Sequence, residues 1–105
     1  MTDEQEQQLI RESHRGAKAA QVLKSEIFVE AFAVVEADVL EKWKSSPVRD
    51  TEGQLALRLK WQVLQEVKKH IADAAMTGKL ANAQLEHERS LAERARAAVK
   101  AFKRA

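Results

Sequence analysis

The first 44 residues carry apolar side chains at the spacing of an α-helix. Two adjacent rows recur every three or four positions. They are Ala20, Leu23, Ile27, Ala31 and Val34, and then Phe28, Phe32, Val35, Val39 and Trp43. Together the rows form an apolar arc that is too broad for one neighbouring helix to cover. The pattern therefore predicts a helix over about residues 2–44, capped by Thr2 or Asp3, with more than one packing partner.

A break in the pattern follows at residues 44–53. Pro47 ends a helix here, because proline lacks an amide hydrogen and disfavours helical geometry at the residue before it. Asp50 or Thr51 is placed to cap a second helix over about 52–77, and Gly78 is a natural cap for its end. The apolar stripe of this helix is Leu57, Trp61, Leu64, Val67, Ile71 and Ala74.

The last segment, residues 80–104, is rich in alanine, glutamate, arginine and lysine, which favour helix. Its apolar stripe, mainly Leu91, Ala95, Ala98 and Phe102, is thin, so we expect loose packing. The sequence thus predicts a single all-α domain over residues 1–105. We expect a long antiparallel helical hairpin with a third, loosely packed C-terminal helix, in a chain that oligomerises.

The predicted helix lengths do not match. At 1.5 Å per residue, a helix over 2–44 is about 60 Å long and its partner over 52–77 about 40 Å. About 20 Å of the first helix, near residues 4–18, then extends beyond the hairpin. Either the third helix covers this part, a second chain covers it, or it frays. We expect self-association because the arc is broad and the third helix is thin.

Composition narrows the function classes. Hydrophobic residues make up 45% and charged residues 32% of the 105 positions, so the chain can bury a core and remain in solution. No cysteine is present, and His14, His70 and His87 have no second ligand at metal-binding spacing. The three glycines are isolated, which excludes a glycine-rich phosphate loop. We therefore expect no enzyme, cofactor, metal or small-molecule substrate, and no membrane span.

Several large side chains are candidates for either the core or an interface. Trp43 and Trp61 flank the predicted loop and are expected to pack together, with a role as partner anchors as the alternative. The full set is Leu23, Ile27, Phe28, Phe32, Val35, Trp43 and Trp61. Asp38 lies within the apolar arc; we expect it at the edge, in water, rather than paired with Arg58, Lys60 or Lys68.

Charge is divided unevenly along the chain. Residues 1–52 have a net charge of −4 and residues 53–105 of +6, which together give the overall +2. Five cations lie near the C-terminus: Arg94, Arg96, Lys100, Lys103 and Arg104. Such a patch can bind nucleic-acid phosphates, and less readily an anionic membrane. Alternatively, these residues only complement the helix dipole or attract the acidic half of the same or a neighbouring chain.

A group of residues in the predicted loop and helix caps resembles residues found in other proteins. The group is Trp43, Pro47, the run Arg49-Asp50-Thr51-Glu52-Gly53, then Leu57, Trp61, Val67 and the run Gly78-Lys79-Leu80. It resembles small helical proteins encoded in tailed-phage and prophage head and packaging gene clusters. The resemblance implies a virion-assembly or packaging accessory in the cytoplasm of a bacterial host. It brings no catalytic or binding motif with it.

We expect, first, a non-enzymatic interaction protein that self-associates or binds another phage or host protein. The alternative is a nucleic-acid-binding accessory, similar in outline to a small terminase subunit, that uses the basic C-terminal helix. No helix-turn-helix is evident at either end, and Asn82 and Gln84 are the few base-reading candidates after the turn at Gly78.

Overall fold

The computed structural model describes residues 1–104, which contain three α-helices and no strand. α1 spans Asp3–Lys24, α2 spans Glu26–Ser45 and α3 spans Thr51–Arg104. The all-α prediction is therefore confirmed. Contacts divide the chain into two units. The terminal unit comprises Met1–Lys18 and the chain from Ala74 onward, and the central unit comprises Ala19–Asp73.

Side-chain caps fix where α1 and α3 begin. Thr2 and Gln5 form a reciprocal pair, in which the Gln5 amide donates to Thr2 Oγ1 (3.2 Å) and the Thr2 amide donates to Gln5 Oε1 (3.0 Å). At the start of α3, the Gly53 amide donates to Asp50 Oδ1 over 3.0 Å. Of the predicted alternatives, Thr2 caps the first helix and Asp50 caps the helix after the loop.

The predicted single helix over 2–44 is wrong, because the chain leaves helical geometry at Ser25. This residue is extended, with ψ of 124°, and its amide donates to the Val22 carbonyl oxygen over 3.1 Å. Its own carbonyl accepts the Val29 amide and so begins α2. A signal was present in the sequence: Lys24 at a helix end, serine at a cap position and Glu26 in a first turn.

The predicted helices over 52–77 and 80–104 are one helix, α3, so the predicted cap at Gly78 is also wrong. A glycine cap requires the left-handed backbone region, and no described glycine has a positive φ. Gly78 is instead buried within the helix. Glycine costs about 1 kcal/mol in a helix interior relative to alanine, so its presence is explained by packing.

The packing partner of Gly78 is Gly16, at the crossing of α1 and α3 in the terminal unit. A Cβ atom added to Gly78 would lie 2.5 Å from the Gly16 Cα and 3.0 Å from the Glu12 carbonyl oxygen. The two backbones therefore approach more closely than any side chain would permit. Nearby Ala74 and Ala81 are buried, at 7% and 2% exposure.

This crossing shows what covers the first part of α1. Of the three outcomes considered for residues 4–18, the one that the structure shows is coverage by the chain after Gly78. The prediction of loose packing holds for part of that segment only. Ala81 is buried and Leu85 half-buried, whereas every residue of 91–104 is exposed.

In the central unit, α2 runs antiparallel to the first part of α3. Val39 is buried, at 4% exposure, and Phe28 and Phe32 are half-buried with their ring centroids 4.6 Å apart. On α3, the predicted stripe is half-buried at Leu57, Trp61, Leu64 and Ile71, whereas Val67 is exposed. The long helical hairpin is thus observed, with a thin core.

Candidate interaction surfaces

α2 is the most apolar helix, and within the central unit it packs on the first part of α3. A helix that is apolar on most of its circumference is normally buried on most of it. Here Ile27 is 72% exposed and Val34 is 62% exposed. Exposed large apolar side chains continue along α3, at Leu55, Leu59, Val63 and Val67. The central unit therefore presents apolar surface that nothing in the described chain covers.

The predicted core or interface residues fall into two groups in the structure. Leu23, Phe28, Phe32 and Trp61 are half-buried in the central unit. Ile27, Val35 and Trp43 are exposed, and more than half of Trp43 is open to solvent. Trp43 and Trp61 line the same groove, which is open rather than closed into the core that their packing together was expected to form.

That groove lies at the loop end of the α2–α3 pair. Its volume is about 290 Å³. The lining residues are Val39, Leu40, Trp43, Leu57, Arg58 and Trp61. Arg58 is its one charged neighbour, and the remaining walls are apolar. The groove is a concave surface for an apolar side chain, with a cation at its edge.

Glu36 joins α2 to α3 through a polar cluster that the sequence reading missed. Its carboxylate accepts a hydrogen bond from Gln65 Nε2 at 2.8 Å. It also forms an ion pair with Lys68, whose Nζ lies 3.0 Å from Glu36 Oε1. Lys68 Nζ also lies 5.9 Å from the centre of the Phe32 ring. The signal in the sequence was its spacing, four residues after Phe32 and three before Val39, which places Glu36 on the packed face of α2.

The geometry of this cluster affects the ionisation of Glu36. The hydrogen bond from Gln65, followed by that from Lys68 and by its charge, lowers the pKa of the Glu36 carboxyl below its ordinary value of 4.5. Desolvation opposes this and is outweighed. The ionised carboxylate is therefore the form that the folded unit stabilises.

We expect this cluster to make stability depend on pH. A lowered folded-state pKa adds stability above pH 4.5, and the contribution is lost as pH falls through the folded-state pKa. Glu36→Gln removes the titrating group, so at pH 7 it is expected to cost about 1 kcal/mol. The gap from wild type should narrow toward pH 3. Urea denaturation at both pH values measures this, and a gap independent of pH contradicts it.

Asp38→Asn is the matched control for that experiment. Asp38 forms an exposed pair with Lys42 one turn along the same helix, with the two charged atoms 2.9 Å apart. Such pairs contribute little to stability. The structure thus places Asp38 in water, as expected from the sequence, and not with Arg58, Lys60 or Lys68.

The five predicted anion-binding cations lie on the last turns of α3, in the terminal unit. All of them are exposed, and in the described part of the chain none takes part in an ion pair. They are Arg94, Arg96, Lys100, Lys103 and Arg104. With Glu93, they give residues 91–104 a net charge of +4. Phe102 is 84% exposed on the same segment.

Among the described residues, no group of three or more histidine, cysteine, aspartate or glutamate side chains converges in a way that could hold a metal. None of the described helices has both the length and the apolarity of a membrane span. No family model, curated protein or solved structure matches the chain.

Proposed function

We propose that this protein is a non-enzymatic assembly component that self-associates through the exposed apolar surface of its central unit. The proposal rests on the exposed apolar side chains of α2. This helix presents apolar side chains around much of its circumference, and its central-unit partner, the first part of α3, covers one face of them. Covering the rest would remove unfavourable contact between apolar side chains and water.

The surface area of the chain is consistent with a missing partner. The described chain exposes 8709 Å². A compact monomer of 11.8 kDa exposes about 5,900 Å². The difference, about 2,800 Å², exceeds the roughly 800 Å² that each partner contributes to a standard interface. It also exceeds the roughly 1,000–2,500 Å² that each partner contributes to an obligate homodimer, whose interface resembles a divided core.

The setting that we propose is tailed-phage assembly. The resemblance of the residues around Trp43, Pro47, Trp61 and Gly78 to head and packaging proteins favours a role inside a bacterial host, in the cytoplasm or on the virion. A small helical chain that self-associates suits a particle built from repeated copies. In this proposal the partner is another copy or a second phage or host protein.

Self-association is tested by measuring molar mass against concentration. We expect sedimentation or light scattering to show a dimer or larger oligomer, with a dissociation constant below about 10 µM. The Tm should rise with protein concentration, because association stabilises only the folded chain. A strict monomer at several hundred micromolar, with a Tm independent of concentration, would reject the proposal.

A second candidate function is nucleic-acid binding by residues 91–104. It is favoured by five exposed cations that have no ion-pair partner within residues 1–104, on a segment with net charge +4. Unpaired cations on a helix are available to phosphate oxygens, and they bind the backbone independently of sequence. This function is compatible with the first, since the cations lie in the terminal unit and the apolar surface in the central unit.

A further inference from the structure

In the terminal unit, α3 continues past the start of α1. The two helices run antiparallel: Gly16 lies against Gly78 at their crossing, and Ile10, nearer the start of α1, lines a cavity with Leu85. This register places the first residue of α1, Asp3, opposite about position 91 of α3. The rest of α3 therefore extends beyond the helix on which it packs.

We call residues 93–104 the projecting end. Every one of them is exposed, and no helix lies beside them in the described part of the terminal unit. At 1.5 Å per residue the projecting end is about 18 Å long. A helix of this length is only marginally stable in water by itself. A partner that surrounds it would therefore stabilise its helical form.

The cations of the projecting end are spread around the helix. At 100° per residue they occupy about half of its circumference, with Arg94 and Lys103 on opposite flanks, about 180° apart. The set is Arg94, Arg96, Lys100, Lys103 and Arg104. Glu93 is the one acidic residue of the segment, and most of the other positions are alanine. The projecting end is thus a slim helix with positive charge on two flanks.

The major groove of B-form DNA has the shape and charge that fit such a helix. The groove is about 12 Å wide and 8.5 Å deep, and an α-helix with its side chains is about 10–12 Å across. Phosphates line both walls, so cations on opposite flanks of the helix reach them together. A basic helix that continues beyond the body of a protein is an established means of occupying this groove.

A flat anionic membrane fits the projecting end less well. Its apolar stripe is Ala95, Ala98 and Phe102, in which Phe102 is the one large side chain. If this stripe entered a bilayer, Lys100 and Arg104 would point about 150–170° away from it, out of reach of the lipid phosphates. The arrangement of the cations therefore favours a partner that encloses the helix over one that meets a single face.

We propose that the projecting end of α3 binds as a helix in the major groove of B-form duplex DNA. The inference rests on the second candidate function, nucleic-acid binding by residues 91–104, and adds the form of the nucleic acid and the way the helix docks. The contacts are to phosphates, so the binding is independent of base sequence.

The first test compares three nucleic acids of the same sequence. The major groove of an A-form RNA duplex is too deep and narrow for side chains to read, and a single strand has no groove. We expect the full chain to bind the DNA duplex at least about tenfold more tightly than the RNA duplex or the single-stranded DNA. Fluorescence anisotropy at low salt measures the three affinities.

The second test breaks the helix and keeps every charge. Ala98 is exposed, so Ala98→Pro leaves the packed part of α3 intact, but it removes a helical hydrogen bond and clashes with the preceding turn. The three cations beyond it then leave the line of the groove. We expect the affinity for duplex DNA to fall about tenfold or more. The matched control, Ala98→Ser, keeps the helix and should change affinity less than about twofold.

The outcomes separate groove docking from nucleic-acid binding as such. If the wild-type chain binds no DNA at low salt, or binds only anionic vesicles, both are overturned. If it binds DNA, but equally binds the RNA duplex or single strand, or if Ala98→Pro binds as Ala98→Ser does, only groove docking is overturned. A preference for the DNA duplex that Ala98→Pro abolishes establishes it.

Discussion

Gly16→Ala is expected to destabilise the terminal unit, although alanine is the stronger helix former. The new Cβ would overlap the Gly78 Cα and lie 2.9 Å from the Ala74 carbonyl oxygen. Both are backbone atoms, so α1 and α3 must move apart. Overpacking of this kind costs more than the gain of about 1 kcal/mol in helix propensity, and we expect a net loss of about 2 kcal/mol.

Gly53→Ala is the matched control. The atoms nearest to a Cβ at Gly53 belong to the side chain of Asp50, which can rotate. We expect a change within about 1 kcal/mol, since a gain in propensity offsets a weakened cap. Urea denaturation followed by circular dichroism measures both variants. An increase in stability for Gly16→Ala of the size that propensity alone gives would show that the close crossing is not maintained.

A double variant sharpens this prediction. Gly16→Ala and Gly78→Ala require the same separation of α1 from α3, because each Cβ would meet the backbone of the other glycine. The combined loss should therefore be smaller than the sum of the two single losses. Additive losses would mean that each substitution acts locally on its own helix.

The second large effect is expected in nucleic-acid binding. Replacing all five C-terminal cations by glutamine should abolish affinity for duplex DNA, because it removes the phosphate contacts. These cations are Arg94, Arg96, Lys100, Lys103 and Arg104. For the unaltered chain, binding should weaken about 100- to 500-fold between 50 and 200 mM salt if four or five of them contact phosphates.

Exposed cations elsewhere provide the control with equal charge change. Replacing five of them by glutamine should leave most of the binding intact. The control set is Lys18, Lys24, Lys44, Arg49 and Lys69. Fluorescence anisotropy with labelled duplex and single-stranded DNA measures affinity and salt dependence. No binding at low salt, or equal losses in both variants, would exclude a nucleic-acid site at residues 91–104, and binding to anionic vesicles alone would favour a membrane surface.

Spacing and composition predicted the helical class and the loop around Pro47, and narrowed the caps to Thr2 or Asp3 and to Asp50 or Thr51. These features depend on residues close together in sequence, so local chemistry is sufficient. The boundaries of the helices were harder to predict from the sequence. Nothing local distinguishes a glycine that ends a helix from one that admits a neighbouring backbone, and the reading of Gly78 as a cap was wrong for that reason.

The apolar arc on α2 was evident from the sequence, and so was its excess over what one neighbour covers. Tertiary structure decided which parts remain uncovered. It pairs Glu36 with Gln65 and Lys68 and leaves Val34 and Val63 exposed. That division depends on the register of two antiparallel helices, which contacts between distant residues set and which helical periodicity alone does not specify.

The distinction between local patterns and contacts of distant residues applies to the chain as a whole. By itself, the sequence predicted that this protein is all-α, that its last segment has a thin apolar stripe and that cations concentrate near its C-terminus, because periodicity, composition and charge are local properties. Only the tertiary structure decided that α3 continues through Gly78 and covers the start of α1. The close approach of two glycines 62 positions apart is a long-range contact, and such a contact exists only once the helices have packed.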